Sequence, residues 1–336
     1  ASPDRGAAAI RQACLVRGWG EWAERHQVVL YLAAIAVGAV VGLTSPASAP
    51  VLEAAITPAL AALLYATFLA VPFARIGQAL RDRRFLVAVL ALNFVLVPIV
   101  VFALSRLVAH DAALLAGVLL VLLTPCVDYV IVFAHLAGGA RERLLAATPL
   151  LMLVQLVLLP GYLWIMAGPD LVGAVEPGPF VEAFGLLIAL PLALAALTQL
   201  LARTLRPIRL VETGVLGAMV PLMMVVLAIV VGSQVHAVGE RLSSLAGVVP
   251  LFIAFAALAA LLGLFTARSV RMRRPERIAT IFSGVTRNSL VVLPLALALP
   301  ASLSLAPLVV VTQTLVELFV MVVLVALLRR RAAHAR

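Results

Sequence analysis

The chain has no lysine, only two cysteines in 336 residues and little charge of either sign, with 12% of its residues charged. A soluble domain carries roughly 25% charged residues and less than half apolar ones, whereas 64% of this chain is hydrophobic. Water is therefore excluded as its main solvent. Aromatic residues are scarce, at 6%, so the apolar content is aliphatic and suits helices. An outer-membrane barrel would show segments of about ten residues alternating apolar and polar, and this pattern is missing. Cys14 and Cys126 lie in different settings and give no disulfide framework. No metal-ligand cluster, Gly-x-Ser-x-Gly turn or pair of catalytic acids appears, which argues against an enzyme and calls for no cofactor. The loops are too short for a sensory domain, which argues against a receptor.

A membrane-spanning helix needs about 20 predominantly apolar residues. Windows of that length fall at 27–43, 51–73, 85–108, 112–137, 144–167, 180–202, 214–234, 245–267, 278–299 and 303–328. Breakers such as Ser45-Pro46, Pro169-Asp170, Pro177-Gly178-Pro179 and Pro300 lie between them. Arginine sets the orientation. One set of window flanks holds 22 arginines, while the alternate set holds only Arg106 and Arg241. Arginine-rich short loops stay cytoplasmic, so both termini are expected there. The net charge of +10 is thus a topology signal. It implies contact with anionic membrane lipid and gives no support to a nucleic-acid partner. Four arginines interrupt residues 1–26, which read as an amphipathic cytoplasmic leader without the apolar core of a signal peptide.

Ten spans divide into five plus five, and an odd number per half turns the second half upside down. The expected fold is an all-α membrane protein of two inverted five-helix repeats, 27–167 and 168–328, followed by a basic tail, 329–336. Many secondary transporters are built this way, with broken helices meeting near the bilayer midplane.

Ionisable groups inside spans cost at least ~2.5–3.5 kcal/mol each and line a cavity or pair. Asp128 lies in the middle of span four, within Thr124-Pro125-Cys126-Val127-Asp128-Tyr129. Arg287 lies in the middle of span nine, within Ser283-Gly284-Val285-Thr286-Arg287-Asn288-Ser289. Each is the fourth helix of its half. Pro125 interrupts one, and Gly284 with Pro294 weakens the other, so helices four and nine are expected to be broken and to cross. Asp128 and Arg287 read either as a structural ion pair or as part of a binding site. Glu317, near the centre of span ten, reads either as a protonated interface carboxyl or as a proton carrier. Cys126 alone is a small hydrophobe; beside a helix break and an acid it becomes a candidate soft ligand for a metalloid. Asn93, Tyr129, Thr286 and Asn288 complete the candidate substrate-binding set. His110 and His135 stand near span ends and read as interfacial.

Several of these stretches resemble the arsenite permeases of the bile acid/arsenite/riboflavin transporter superfamily. Span two ends in Leu69-Ala70-Val71-Pro72, and span three carries Leu92-Asn93-Phe94, Pro98 and Phe102-Ala103-Leu104. Span four has Cys126, then Val130-Ile131-Val132-Phe133 and Leu136-Ala137-Gly138-Gly139; span ten has Leu315-Val316-Glu317-Leu318-Phe319-Val320-Met321. The resemblance implies an inner-membrane secondary transporter that extrudes arsenite in exchange for protons, with Cys126 as the arsenite ligand. The sequence also departs from that pattern. Pro125 stands where those permeases have arginine, and Arg287-Asn288-Ser289 stands where they have an Asn-Asn-Phe-Glu-like stretch. The missing span-nine carboxylate also argues against the sodium coupling of the bile-acid branch. A carrier of a small organic anion, with Arg287 as counter-charge, is the alternative the sequence leaves open.

Overall fold

The computed structural model describes residues 26, 29–71, 82–127, 129–174, 185–240 and 245–333. Most of the leader, with Cys14, and residues 334–336 of the tail lie outside them. The described residues are helical and contain no strand. The chain forms two compact units, one of Ala1–Ala70 and Gly185–Glu240, the other of Val71–Phe184 and Arg241–Arg336.

In the smaller unit, α1 (Val29–Thr44) and α2 (Ala49–Ala70) pack with α7 (Leu190–Ala202), α8 (Arg206–Gly217) and α9 (Met219–Glu240). Lipid gives helices no hydrophobic reason to associate, so small residues that allow close approach, together with hydrogen bonds, hold them. Gly38 of α1 lies so near α9 that a Cβ there would stand 2.9 Å from Ala228 Cα. Tyr65 and Thr198 share a hydrogen bond of 2.9 Å between their hydroxyls, and Gln199 Nε2 donates to the Leu69 carbonyl at 2.8 Å. Helix α8 is amphipathic and buries no side chain. It turns through 50° into α9, so the expected seventh window begins inside α8 rather than at its own helix start.

The larger unit contains α3 (Arg83–Val108), α4 (Ala112–Leu122), α5 (Tyr129–Leu136) and α6 (Arg141–Gly168). It continues with α10 (Val248–Ser269), α11 (Arg274–Val285), α12 (Ser289–Leu297) and α13 (Ala306–Ala333). Asp82 caps α3 by accepting from Phe85 N, and Asp111 caps α4 by accepting from Ala113 N and Leu114 N at 2.9 and 3.0 Å. Gly168, at φ 81°, ends α6 in a conformation that favours glycine.

Five continuous helices among the described residues are long and apolar enough to cross a membrane: α2, α3, α6, α10 and α13; the bent α8–α9 pair makes a sixth. They fall on the expected second, third, fifth, eighth, tenth and seventh windows. Windows one and six hold the shorter apolar helices α1 and α7. Windows four and nine each hold two short helices, α4 with α5 and α11 with α12.

The arginine-rich helix ends of the larger unit gather on one face. Arg143, in the first turn of α6, bridges Asp82 before α3 and Glu276 in α11, the latter at 3.2 Å. Arg329 Nε donates to the Leu136 carbonyl at 2.7 Å, and Ala140 N donates to the Pro275 carbonyl at 2.9 Å. Arg106 stands at the opposite end of α3. It donates to the Met166 carbonyl at 2.6 Å and lies over the Phe102 ring at 4.7 Å.

Close packing of α10 on α11 depends on Gly263. A Cβ there would stand 2.8 Å from Ile281 Cα and 3.2 Å from the Thr280 carbonyl oxygen, both backbone atoms. Gly263→Ala is expected to destabilise the protein by about 1–3 kcal/mol through overpacking. Gly161→Ala, where the new Cβ meets nothing within 4 Å, serves as the control in thermal unfolding. Equal Tm values for both variants would contradict the packing.

Candidate functional site

The first helix break follows from local sequence. Pro125 has no amide hydrogen and disfavours helical conformation at Thr124. α4 accordingly ends at Leu122, and the Thr124 hydroxyl turns back to the carbonyls of Leu120 and Val121, both at 3.1 Å. The second break departs from expectation. Gly284 remains inside α11 and Pro294 inside α12, so neither makes the interruption. It falls instead at Thr286–Asn288, where Thr286 is extended at φ −79° and ψ 136°.

Its cause is the partner segment. Cys126 N donates to the Thr286 carbonyl at 3.1 Å, and Asn288 N donates to the Thr124 carbonyl at 2.8 Å. Pro125 and Arg287 face each other as an antiparallel bridge. Backbone groups released by a broken span must be satisfied within the protein, and here each broken helix supplies partners for the other. Gly284 serves this packing by its size: a Cβ there would stand 3.0 Å from Leu92 Cδ2 and 3.2 Å from the Ala259 carbonyl oxygen.

Arg287 is fully buried, at 0% exposure. Its Nη2 donates to Asn93 Oδ1 and the Ser283 carbonyl, both at 2.9 Å, and to the Gly284 carbonyl at 2.6 Å. Its Nη1 reaches the Leu122 carbonyl at 3.3 Å, and the guanidinium lies 5.4 Å from the Phe255 ring centroid. Leu122, Ser283 and Gly284 lie in the last turns of α4 and α11, where unsatisfied carbonyls gather the negative end of the helix dipole. The cation is thus placed against the C-terminal ends of both first half-helices, with a favourable aromatic face beside it.

Asn93 owes its position to a π-turn over Leu92–Leu96 in α3. Such turns are rare and frequently mark functional positions. Its Nδ2 donates to the Val89 carbonyl at 3.0 Å and to Ser283 Oγ at 2.9 Å, which leaves Oδ1 to accept from Arg287. Pro98 cannot donate to the Phe94 carbonyl four residues earlier. Tyr162 of α6 fills that place, its hydroxyl donating to the Phe94 carbonyl oxygen.

Glu317 on α13 approaches the crossover from another side. One carboxyl oxygen accepts from Arg287 N at 2.9 Å and from Gln313 Nε2. Asn288 Nδ2, Ser289 Oγ and Gln313 Oε1 are buried in this region with no hydrogen-bond partner among the described residues. Asn288 and Ser289 open α12, and Gln313 joins them through Glu317. Thr286 is buried, its hydroxyl donating to the Phe282 carbonyl at 2.7 Å. Cys126 is a reduced cysteine, buried in the extended segment at 1% exposure. Asp128 and the side chain of Tyr129 lie outside the described residues, so the expected Asp128–Arg287 pair does too. The described partners of the Arg287 guanidinium are neutral oxygens.

Ser289, Gln313, Tyr162 and Gln155 are not among the residues the sequence singles out. Gln313 stands one helical turn before Glu317, and Tyr162 answers a proline-made vacancy; both signals are present in the sequence. Gln155, mid-helix in α6 and 1% exposed, has neither amide atom bonded to a described residue. An open cavity of about 590 Å³ lies elsewhere in this unit between α3, α4 and α10, beside the exposed His110. Its lining is mainly aliphatic and includes none of the buried unpartnered polar atoms, so the crossover is the better candidate. Among the described residues, no group of three His, Cys, Asp or Glu is placed to hold a metal ion.

The family model of the Sodium Bile acid symporter family matches residues 57–241, more than half of the chain. The chain belongs to this family. No curated protein matches the chain. The matched region runs from within α2 past α9 and so contains the α4–α5 break, with Arg287 and Glu317 beyond it. Members of the Sodium Bile acid symporter family are transporters rather than enzymes. The protein is accordingly a multi-pass membrane transporter of a small molecule. Membership supports the bile acid/arsenite/riboflavin transporter superfamily and does not select the arsenite branch of it.

The Tyr162–Phe94 bond gives a local test of this framework. Tyr162→Phe strands a buried carbonyl and is expected to cost about 1–3 kcal/mol. In a Pro98→Ala background the restored amide donates to Phe94 O, so the same substitution should cost clearly less. Equal costs in both backgrounds, measured by thermal or denaturant unfolding, would contradict the assignment.

Proposed function

We propose that this protein is a secondary active transporter of the plasma (inner) membrane that binds a small organic anion at the crossover of α4–α5 with α11–α12. The reading is supported chiefly by Asn288 Nδ2 and Ser289 Oγ, two buried polar groups at the start of α12 without partners among the described residues. A helix N-terminus carries the positive end of the dipole and accommodates carboxylates and phosphates. Gln313 Oε1 adds an acceptor beside them. Arg287 in this reading sets the local potential and holds the crossover together, and Asn93 and Thr286 orient it. Glu317 carries the coupling proton: its protonation removes repulsion between the carboxylate and a bound anion, so anion and proton bind together.

In the same reading both termini are cytoplasmic, with the arginine-rich face of the larger unit inside. The two five-helix halves are inverted repeats. Each compact unit supports this by drawing equivalent helices from both halves, expected spans one, two, six and seven in one unit and three to five with eight to ten in the other.

A second reading, efflux of trivalent arsenic in exchange for protons, is favoured by the position of Cys126. Its thiol is one residue from the Pro125–Arg287 bridge, and thiolate suits a soft metalloid. In that reading Asp128 and Tyr129, next along the chain, are further candidate contacts.

Transport by the purified protein in proteoliposomes, with a panel of small radiolabelled carboxylates and with arsenite, separates the two. For the anion reading, Ser289→Ala should lower carboxylate transport roughly tenfold, the equivalent of one lost charge-assisted hydrogen bond. Its Tm should stay unchanged or rise, because an unpartnered buried hydroxyl is removed. Full transport by Ser289→Ala would exclude this site. For the second reading, Cys126→Ser should abolish arsenite movement in a Cys14→Ser background. Undiminished arsenite flux there would end the metalloid-ligand role.

A further inference from the structure

The surroundings of Arg287 have the form of an ion cage. A guanidinium Nη carries two hydrogens, yet three oxygens converge on Arg287 Nη2: Asn93 Oδ1 at 2.9 Å, the Ser283 carbonyl at 2.9 Å and the Gly284 carbonyl at 2.6 Å. A fourth, the Leu122 carbonyl, lies 3.3 Å from Nη1. Two of these oxygens belong to α11, one to α4 and one to α3, so the cage exists only when the three elements are together. Neutral oxygens converging from several elements onto one centre are the means by which proteins hold hard cations, with carbonyl and amide groups as ligands. The α4 and α11 carbonyls also belong to C-terminal helix ends, where a positive charge is favoured. Here the centre of the cage is covalently attached to the chain and permanently charged.

We infer that the Arg287 guanidinium is a built-in cation occupying a cation cradle at the crossover, so that this member of a sodium symporter family assembles its crossover without a soluble sodium ion at that place. The chain thereby fixes its ion requirement through one positioning residue. A soluble cation would bind and leave during each cycle and would make crossover stability depend on salt. A tethered one keeps the cradle filled at any sodium concentration. This inference builds on the crossover being the transport site, but the cradle and its filling stand whichever substrate is carried.

The test reads stability, not flux, so its failure is distinct from failure of the transport reading. The full-length protein in detergent is unfolded thermally in sodium chloride, potassium chloride or choline chloride at equal ionic strength, and separately with low millimolar guanidinium chloride added. The wild type should show the same Tm in all of these. Arg287→Ala empties the cradle and should unfold several degrees lower in choline chloride. Its Tm should recover in part, saturably, with guanidinium or with an alkali cation. Arg287→Lys retains a tethered cation and should remain indifferent to sodium. A saturable rise of the wild-type Tm with sodium over choline would overturn the inference without recourse to any variant. So would an Arg287→Ala protein that folds but has one Tm in all four conditions. A merely structural arginine would give the Tm loss but not the cation-selective recovery.

Discussion

A helix interrupted inside a bilayer leaves carbonyls without donors and amides without acceptors, and no water is at hand to satisfy them. Two such interruptions occur in the larger unit, and their solution is mutual. The extended residues after α4 and after α11 pair with each other, and the Arg287 guanidinium collects the carbonyls that this pairing leaves over. Burial of an uncompensated charge costs several kcal/mol. Burial of this one is offset by four oxygens, two negative helix ends and the Phe255 ring. The packing around it follows. Gly284 must be small for Leu92 and α10 to approach. The π-turn presents Asn93, Pro98 opens a carbonyl within the same stretch, and Tyr162 closes it.

The electrostatic result is an ordered pair of opposite charges. The guanidinium lies toward the ends of α4 and α11, while the Glu317 carboxyl accepts from the backbone at Arg287, next to the start of α12. Each charge complements the helix ends it faces. Between the helix start and α13, Asn288, Ser289 and Gln313 have hydrogen-bonding capacity that no described residue uses. Buried polar groups are rarely left so, and in the proposed reading that capacity is used by the transported anion. In that reading Arg287 and Glu317 frame the site, and the amides of Asn288 and Gln313 with the Ser289 hydroxyl serve what binds there.

Much of this is legible in the amino-acid sequence. Hydropathy places the helices, and the alternation of arginine anticipates which helix ends share a face in the larger unit. The cost of burying charge singles out Arg287 and Glu317, and proline marks the first break. The second break has no local cause, which is why Gly284 and Pro294 point to the wrong place for it. Thr286-Arg287-Asn288 is extended through pairing with residues distant in sequence, and no propensity encodes that. The acid expected to pair with Arg287, Asp128 on the facing span, lies outside the described residues. The described acceptors of Arg287 are carbonyls and one side-chain amide oxygen, neutral groups that a search for opposite charges does not find. Ser289 and Gln313 escape notice for a related reason. Lone serines and glutamines in a span are ordinary hydrogen-bonding residues, and only geometry reveals which have found no partner. The carboxylate missing from span nine has a counterpart in space, since α13 brings Glu317 to the same crossover from another helix.

All of this depends on the two interrupted spans meeting backbone to backbone at Cys126 and Thr286, which the Cys126 N to Thr286 O bond of 3.1 Å sets opposite each other. Facing positions of an antiparallel pair bring Cβ atoms to about 4.5–5.5 Å, close to the roughly 3.5–4.5 Å that a disulfide needs. The native thiol makes a direct measurement possible. Thr286→Cys is introduced in a Cys14→Ser background, the protein is oxidised in membranes with iodine, and the peptides are analysed by mass spectrometry. The expected product is a disulfide between Cys126 and the introduced thiol, formed in the folded protein and absent when the protein is denatured before oxidation. Two thiols that remain unlinked in the folded protein, yet both label once it is unfolded, would contradict the crossover.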